Sequence, residues 1–431
     1  MGRRSLGDGG SRRRRVSSVW PALVRADATF GADRIAISAR GHRIRYADGS
    51  ERLCATSGLW NVPLGYGHEG VADAVAKALH DASYLTLFRA VHGPALEAAD
   101  ALLDLAGRES YRRVIFSTSG GAANDAVMKL VRQYQGERGE GARTLVVGLR
   151  GSYHGTMYGS HALSGDALGQ GAYALDRRAV RHVEYRDGGE DLGALLRREG
   201  PRVAAVVVEP VLGTGAHPLP TAFVETVLDL RDEHGFLLVA DEVATGFGRT
   251  GPLFASEEWS RSPDLLVLSK ALTNGAVGAA AVLVGARVAA EFADRGAVFV
   301  HGETQAGTPT CAAAVSAVAE EFRGRGTRDA VARVSAGVRA LADGLVRDGL
   351  AVEVRGRGAF LGLALADPVE PRLPPARVAE LVDAIHTAGA IVHPGVDGIQ
   401  LLPAYGYTDA DFAELDAAIR VGIARMTERW A

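Results

Sequence analysis

The sequence predicts an α/β fold: a large domain with a mainly parallel sheet flanked by helices, plus a smaller α+β domain drawn from the two terminal segments. Two observations predict it. From about residue 112 onward, short apolar runs alternate with amphipathic stretches, and the runs are nearly continuous in Val, Leu and Ile. Such runs are what strands buried on both faces require, and strand–helix alternation builds a mostly parallel sheet. The segments before and after differ: a short hairpin pattern precedes the alternation, and long alanine-rich helices follow it.

Taken in order, residues 1–25 form an arginine-rich tail read as flexible, and 26–68 supply the N-terminal part of the small domain. Residues 69–315 make the large domain, and 316–431 complete the small one. Ile35–Ser38 and Arg43–Tyr46 read as a hairpin around Ala39-Arg40-Gly41, with Asp48-Gly49 as the next turn. A helix is expected from about Glu69 to His80. Strands are expected at Arg113–Ser117, Thr144–Gly148, Val203–Glu209, Leu237–Asp241, Leu265–Ser269 and Ala280–Val284. Between them, Val127, Leu130, Val131 and Tyr134 fall on one helical face, and Phe223, Val227, Leu228 and Leu230 form another. Helices at Ala312–Phe322, Asp329–Val346, Ala376–Ala388 and Asp409–Trp430 surround a strand-rich stretch near Ala351–Leu365 and a short strand, Ile391–Val392.

Composition narrows the function. Of 431 residues, 47% are apolar and 23% charged, which is globular rather than disordered. No run approaches the roughly 18 apolar residues of a membrane span. The two cysteines, Cys54 and Cys311, cannot build a disulfide framework or a multi-thiolate metal site. Residues 1–15 hold six arginines against Asp8 alone, leaving 42 basic and 50 acidic residues in the remainder. That excess of acid argues against nucleic-acid binding by the body of the protein. The tail has the charge to grip RNA, a membrane or an acidic peptide, but a solvated tail is the plainer reading. Val16–Val24 is short, holds Pro21 and runs into Arg25 and Asp27, so it does not read as an export signal and the protein is expected in the cytoplasm.

Only three of the 48 basic residues are lysines: Lys77, Lys129 and Lys270. Lysine offers what arginine cannot, an amine able to lose its proton and attack a carbonyl. Lys270 follows Leu265–Ser269 at the carboxyl end of a strand, where open parallel sheets bind ligands. Desolvation there lowers an amine's pKa. A lysine merely reaching out of a strand end is the bland alternative, and the neighbouring motifs outweigh it. Asp241, with Glu242, ends another apolar strand. One carboxylate there suits a metal or a cationic ring nitrogen, and Ala244–Gly251 supplies few further metal ligands. Phe116–Asp125 reads as strand, small polar turn and helix start, so that Ser119, Gly120 and Gly121 form a phosphate cradle. Tyr153, bracketed by Gly151 and Gly155, is a candidate stacking plate.

Cradle, plate, acid and strand-end lysine together describe pyridoxal 5′-phosphate (PLP). Lys270 would hold the aldehyde as a Schiff base, Asp241 would keep the ring nitrogen protonated, and Val243 would touch the ring face opposite Tyr153. With these residues in place, the chain resembles the class III aminotransferases of PLP fold type I over roughly residues 30–425. The resemblance lies in Ser119–Asp125, Tyr153-His154-Gly155, Glu209-Pro210-Val211, Asp241–Gly251, Ser269–Leu272 and His301–Pro309. It implies a homodimer with active sites at the interface and Thr304 reaching the phosphate of the neighbouring subunit. It also implies phosphate-binding N–H groups at Gly120 and Gly121, Glu209 supporting the site, and Trp60 as a pocket wall. No membrane or nucleic-acid partner is expected.

Three departures stand out. Gly121 replaces a usual Ser or Thr, and Ala122 a usual acid. His393 stands where amino-acid transaminases of the class often carry an arginine that clamps the substrate carboxylate. A carboxylate fork needs a fixed planar cation, and histidine is mostly neutral at pH 7. The substrate is therefore expected to lack that carboxylate: an amine, an aminoketone or a modified peptide end. Arg89 or Arg355 supplying the clamp instead is an equal alternative. Gly58–Tyr66 and Leu85–Gly93 also resemble aminotransferases of daptide-type peptide tailoring, which act on a C-terminal aminoketone. A PLP-dependent aminomutase or racemase, and an ω-amino-acid transaminase of primary metabolism, remain open on the same scaffold. A binding protein on a decayed fold would not need Lys270, Asp241 and Tyr153 together. A nucleotide-dependent oxidoreductase lacks its glycine fingerprint.

Overall fold

The computed structural model describes residues 18–166, 168–365 and 372–430. The arginine run of residues 1–15 lies outside these residues. The centre is a seven-stranded sheet: β1 (Tyr111–Ser117), β2 (Leu145–Leu149), β3 (Val180–Val183), β4 (Val203–Val208), β5 (Leu237–Asp241), β6 (Leu265–Leu268) and β7 (Ala280–Gly285). Across the sheet the order is β1-β7-β6-β5-β4-β2-β3, and only β7 runs antiparallel to its neighbours. β2 and β4 to β7 are buried along their whole length, as their apolar runs require.

The expected strands appear within two residues of their sequence-derived ends. β3 was not expected. Its Val180-Arg181-His182-Val183 has two polar, half-buried residues and forms an edge of the sheet, so neither continuous hydrophobicity nor a long run marks it.

The terminal segments meet in a second, four-stranded sheet. Ala36–Arg40, Arg43–Tyr46 and Glu51–Cys54 form an antiparallel meander, and Ala390–Ile391 from the far end of the chain adds to it in parallel. A third sheet holds Ala351–Arg357, Phe360–Leu365, Gly398–Leu401 and His393–Pro394. The expected strand at Ile391–Val392 is thus divided, Ile391 pairing with Cys54 and His393 with Gln400. The switch between sheets is what sends His393 towards the large domain. Helices Glu69–Asp81, Pro309–Arg323, Arg325–Arg347, Pro375–Ala388 and Asp409–Trp430 match the expected helices to within four residues at either end. Among the described residues, no helix is long and apolar enough to cross a membrane.

One segment departs from ordinary backbone geometry. Ser57, Gly58, Leu59 and Trp60 all have positive φ, between 45° and 69°, forming a left-handed turn. Such a turn costs about 1–2 kcal/mol for each residue bearing a Cβ. Hydrogen bonds hold it: Ser57 Oγ donates to Leu402 O at 2.6 Å, and Asn61 Nδ2 to Leu59 O at 2.8 Å. The result turns Leu59 outward and buries Trp60.

Candidate active site

The parallel strands release their chains at one edge of the sheet, and the residues singled out from sequence collect there. β1 leads to Ser119 and Gly120, β2 to Tyr153 and His154, β4 to Glu209, and β6 through Ser269 to Lys270, while Asp241 ends β5 itself.

At the start of the Gly120–Glu137 helix, Ser119 is the N-cap and its Oγ accepts from Ala122 N at 3.2 Å. The N–H groups of Gly120 and Gly121 lie in the first turn, which has no intrahelical acceptor. The turn is packed so tightly that side chains are excluded. A Cβ on Gly155 would stand 2.6 Å from Gly121 Cα, and Gly155 itself has φ +117°, where a side chain is strained. A Cβ on Gly120 would meet both methyls of Val243 at 3.1 Å, so Val243 lies directly against the cradle.

Asp241 is buried and oriented on both oxygens. Its Oδ2 accepts from His154 Nδ1 at 2.7 Å and Asn124 Nδ2 at 2.8 Å, and Oδ1 from Val243 N at 3.1 Å. Burial acts against a charged His154, but the bond to Asp241 and the charges of Asp241 and Glu209 outweigh it, holding the imidazole above its ordinary pKa. The adjacent Glu242 faces elsewhere, accepting from Thr245, Ala255 and Ser256. The two neighbouring acids therefore do not converge on one ligand.

Glu209 is also buried. Its carboxylate accepts from Tyr153 N at 2.8 Å and Gly213 N at 2.9 Å, and burial still raises its pKa to about 7. Tyr153 is tied to the site through this backbone bond, with its ring partly exposed.

Lys270 has φ 49° and its Nζ lies 3.9 Å from the centroid of the Trp60 ring. Burial lowers its pKa to about 8, against the opposing pull of Glu209 and Asp241. His393 meets Trp60 edge-on, with ring centroids 5.3 Å apart. Burial, with Lys270 nearby, takes His393 down to about 4, so this imidazole is neutral at physiological pH.

The remaining candidates lie elsewhere. Arg355 is buried and bound through both terminal nitrogens to Asp397, which also pairs with Arg372. Arg89 is exposed, and among the described residues no hydrogen bond or ion pair joins it to the Lys270 cluster. Thr304 is exposed as well, its carbonyl accepting from Tyr84 Oη at 3.1 Å. Glu303 anchors this segment to Ser117 and Thr118 beside the cradle.

Three contributors carried no assigned role in the sequence reading. His154 and Asn124 stand in quoted motifs, but their bonds to Asp241 span 87 and 117 residues and have no local signature. Arg249 is buried, donates to Pro403 O at 2.8 Å and lies over the Tyr405 ring at 5.3 Å. Its Nε and Nη2 have no partner among the described residues.

The Aminotransferase class-III profile matches residues 30–421. The chain belongs to the class III aminotransferase family. This aminotransferase is 31% identical to the adenosylmethionine-8-amino-7-oxononanoate aminotransferase of Nitratidesulfovibrio vulgaris, over 96% of this chain and 82% of that protein. It is 30% identical to an omega-aminotransferase of Caulobacter vibrioides, over 86% and 89% of the two chains. Among solved structures it is similar to an amine transaminase from an uncultivated Pseudomonas species in its PLP-bound form. The TM-score is 0.87 at 27% identity, covering 96% of this chain and all of that one. The likeness establishes fold type I for the aminotransferase, with its seven-stranded, mostly parallel sheet.

Proposed function

We propose that the protein is a PLP-dependent aminotransferase acting on amines or aminoketones that carry no carboxylate beside the reacting carbon. The cofactor fits the residues present. The first-turn N–H groups of Gly120 and Gly121 at a helix start suit an anionic group, and an oriented, buried Asp241 suits a protonated ring nitrogen. Lys270 has the depressed pKa that a carbonyl-attacking amine needs.

In this reading Ser119, Gly120 and Gly121 bind the phosphate, while Tyr153 and Val243 enclose the ring. When bound, the cofactor supplies an electron sink for the carbanion at the substrate carbon and a temporary carrier for the amino group. Asp241 holds the proton at the ring nitrogen, and His154 and Asn124 keep its carboxylate in position. Lys270 Nζ would act as general base and acid for the proton on the substrate carbon, a role suited to a group near its pKa. Trp60 covers Lys270 and keeps water from it, and Glu209 sets the local charge.

The observation that supports the substrate class is the neutral His393 beside Trp60 and Lys270. Position 393 itself offers no fixed cation, and Arg355 is already committed to Asp397, so among these candidates Arg249 is the arginine whose charge reaches Lys270. A modified peptide end belongs to the same chemical class as a small amine. A second reading, an ω-amino-acid transaminase, draws on Arg249, whose two unpartnered donors suit a distal carboxylate.

A half-reaction screen against α-amino acids, ω-amino acids, simple amines and aminoketones tests the proposal, read as loss of the cofactor's visible absorption. Preference for donors without a carboxylate is expected. Fast turnover of α-amino acids would overturn the substrate class, and a protein that takes up no PLP would overturn the whole reading. Dependence on a second, amine-accepting substrate separates transamination from mutase or racemase chemistry.

The functional unit in this reading is a homodimer. The exposed apolar residues Tyr84, Leu85, Phe88 and Val91 lie near the exposed Thr304 segment, with Phe88 against Gly302 and Tyr84 bonded to Thr304. Covering this surface with a second copy would carry Thr304 to the partner's phosphate site.

A further inference from the structure

Lys270 opens a short turn, Lys270–Thr273, and the residue that closes it reaches across to the segment bearing Trp60. That residue is Asn274, buried and left-handed at φ 47°, a conformation asparagine tolerates better than most residues with a Cβ. Its side-chain amide bonds to two adjacent residues of the other segment. Oδ1 accepts from Leu64 N at 3.0 Å, and Nδ2 donates to Gly65 O at 2.9 Å. One amide thus meets one N–H and one C=O, using both its acceptor and its donor. Among the described residues, these are the only hydrogen bonds joining residues 57–66 to residues 269–275.

The two segments are close-packed where the amide joins them. A Cβ on Gly275 would stand 2.9 Å from Val62 Cγ1 and 3.3 Å from Asn61 Cβ. The contacts close a circuit that runs from Lys270 through its turn to Asn274, Leu64 and Trp60. It returns to Lys270 Nζ, 3.9 Å from the centroid of the Trp60 ring. Ser57 and Asn61 do not complete it, since their side chains bond to Leu402 and within the left-handed turn. They shape that turn, and Asn274 sets where it stands relative to the amine.

Resting on the reading of Lys270 as the reactive amine, we propose that Asn274 is a positioning residue whose amide fastens the Trp60 loop over the Lys270 turn. The seat of Trp60 then sets how far the amine is shielded. Without the amide the loop can lift while the lysine stays in place. Lys270 follows β6, and its turn keeps its own backbone bonds, Leu272 N to Ser269 O and Asn274 N to Ala271 O.

The test is acylation of the full-length apoenzyme by acetic anhydride and, in parallel, by the bulkier benzoic anhydride, read at each lysine by peptide mass spectrometry. Both reagents are uncharged and react only with the neutral amine. Their ratio at one lysine therefore cancels its protonation and reports the room around it. Asn274→Gly keeps the left-handed backbone and removes the amide. Losing two buried hydrogen bonds should raise the benzoic-to-acetic ratio at Lys270 about tenfold. The exposed Lys77 and Lys129 serve as references and should not change. Trp60→Ala should raise the Lys270 ratio as well. Adding Asn274→Gly to Trp60→Ala should then change it by less than about twofold, because the ring through which Asn274 acts has gone. An unchanged ratio in Asn274→Gly would overturn the proposal. So would an equal rise with and without Trp60, which is what general loosening of the fold gives. Failure of the parent to take up PLP would instead strike the functional reading, and the acylation ratios stand without the cofactor.

Discussion

In the proposed function the chemistry depends on the acidity of Lys270, and its size can be measured. A fall from 10.5 to about 8 amounts to roughly 3 kcal/mol in favour of the neutral amine. At about pH 7.4, about one Lys270 in five is neutral, against about one in a thousand for a lysine titrating at 10.5. Only the neutral amine attacks an aldehyde. At equal intrinsic reactivity Lys270 should therefore react about two hundredfold faster than a solvated lysine at that pH. Stopped-flow mixing of apoenzyme with PLP across pH 6 to 10 measures this. The rate should rise with pH through an inflection near 8 and then level. Glu209 is the larger of the two charges that oppose the depression, so Glu209→Gln should move the inflection lower. An inflection above about 9.5 in the parent, or an upward move in the variant, would refute the burial argument.

Three further outcomes are expected. Asp241→Asn leaves His154 and Asn124 donating towards a side chain that no longer carries charge; a loss of about 3–5 kcal/mol in unfolding free energy, by denaturant titration, is expected for breaking this buried pair. Gly155→Ala forces a Cβ against Gly121 Cα at a φ that disfavours it, so PLP affinity should fall and stability should drop by about 1–3 kcal/mol, measured by dialysis and thermal unfolding. His393→Arg places a fixed cation beside Trp60 and Lys270; the ratio of half-reaction rates for carboxylate-bearing over carboxylate-free donors should rise about tenfold, and the Lys270 inflection should fall further through like-charge repulsion.

The strands with continuous apolar runs were legible because full burial leaves a strong local mark, and β3 was not, because Arg181 and His182 interrupt a four-residue edge strand. Lys270 and Asp241 were legible for a related reason: each follows such a run, so the run itself reports which end of the sheet the residue occupies. Trp60 was expected as a pocket wall, yet the left-handed turn that delivers it is invisible in Ser57-Gly58-Leu59-Trp60, since only one of those residues favours positive φ. Arg355 and Arg89 were equal candidates for a clamp on residue type alone. Asp397, 42 residues from Arg355, removes the first, and exposure sets the second apart from the cluster.

By itself, the sequence determined the α/β class, the edge of the sheet at which the candidate residues collect and the unusual value of a lysine in an arginine-rich protein. These depend on periodicity, burial and chemistry that neighbouring residues express together. Only the tertiary structure decided that His154 and Asn124 grip Asp241, and that Trp60 lies over Lys270 with the neutral His393 edge-on to it. Those are choices of partner between distant segments, and a hydrogen bond or ring contact depends on where the fold brings two atoms, which no local pattern encodes.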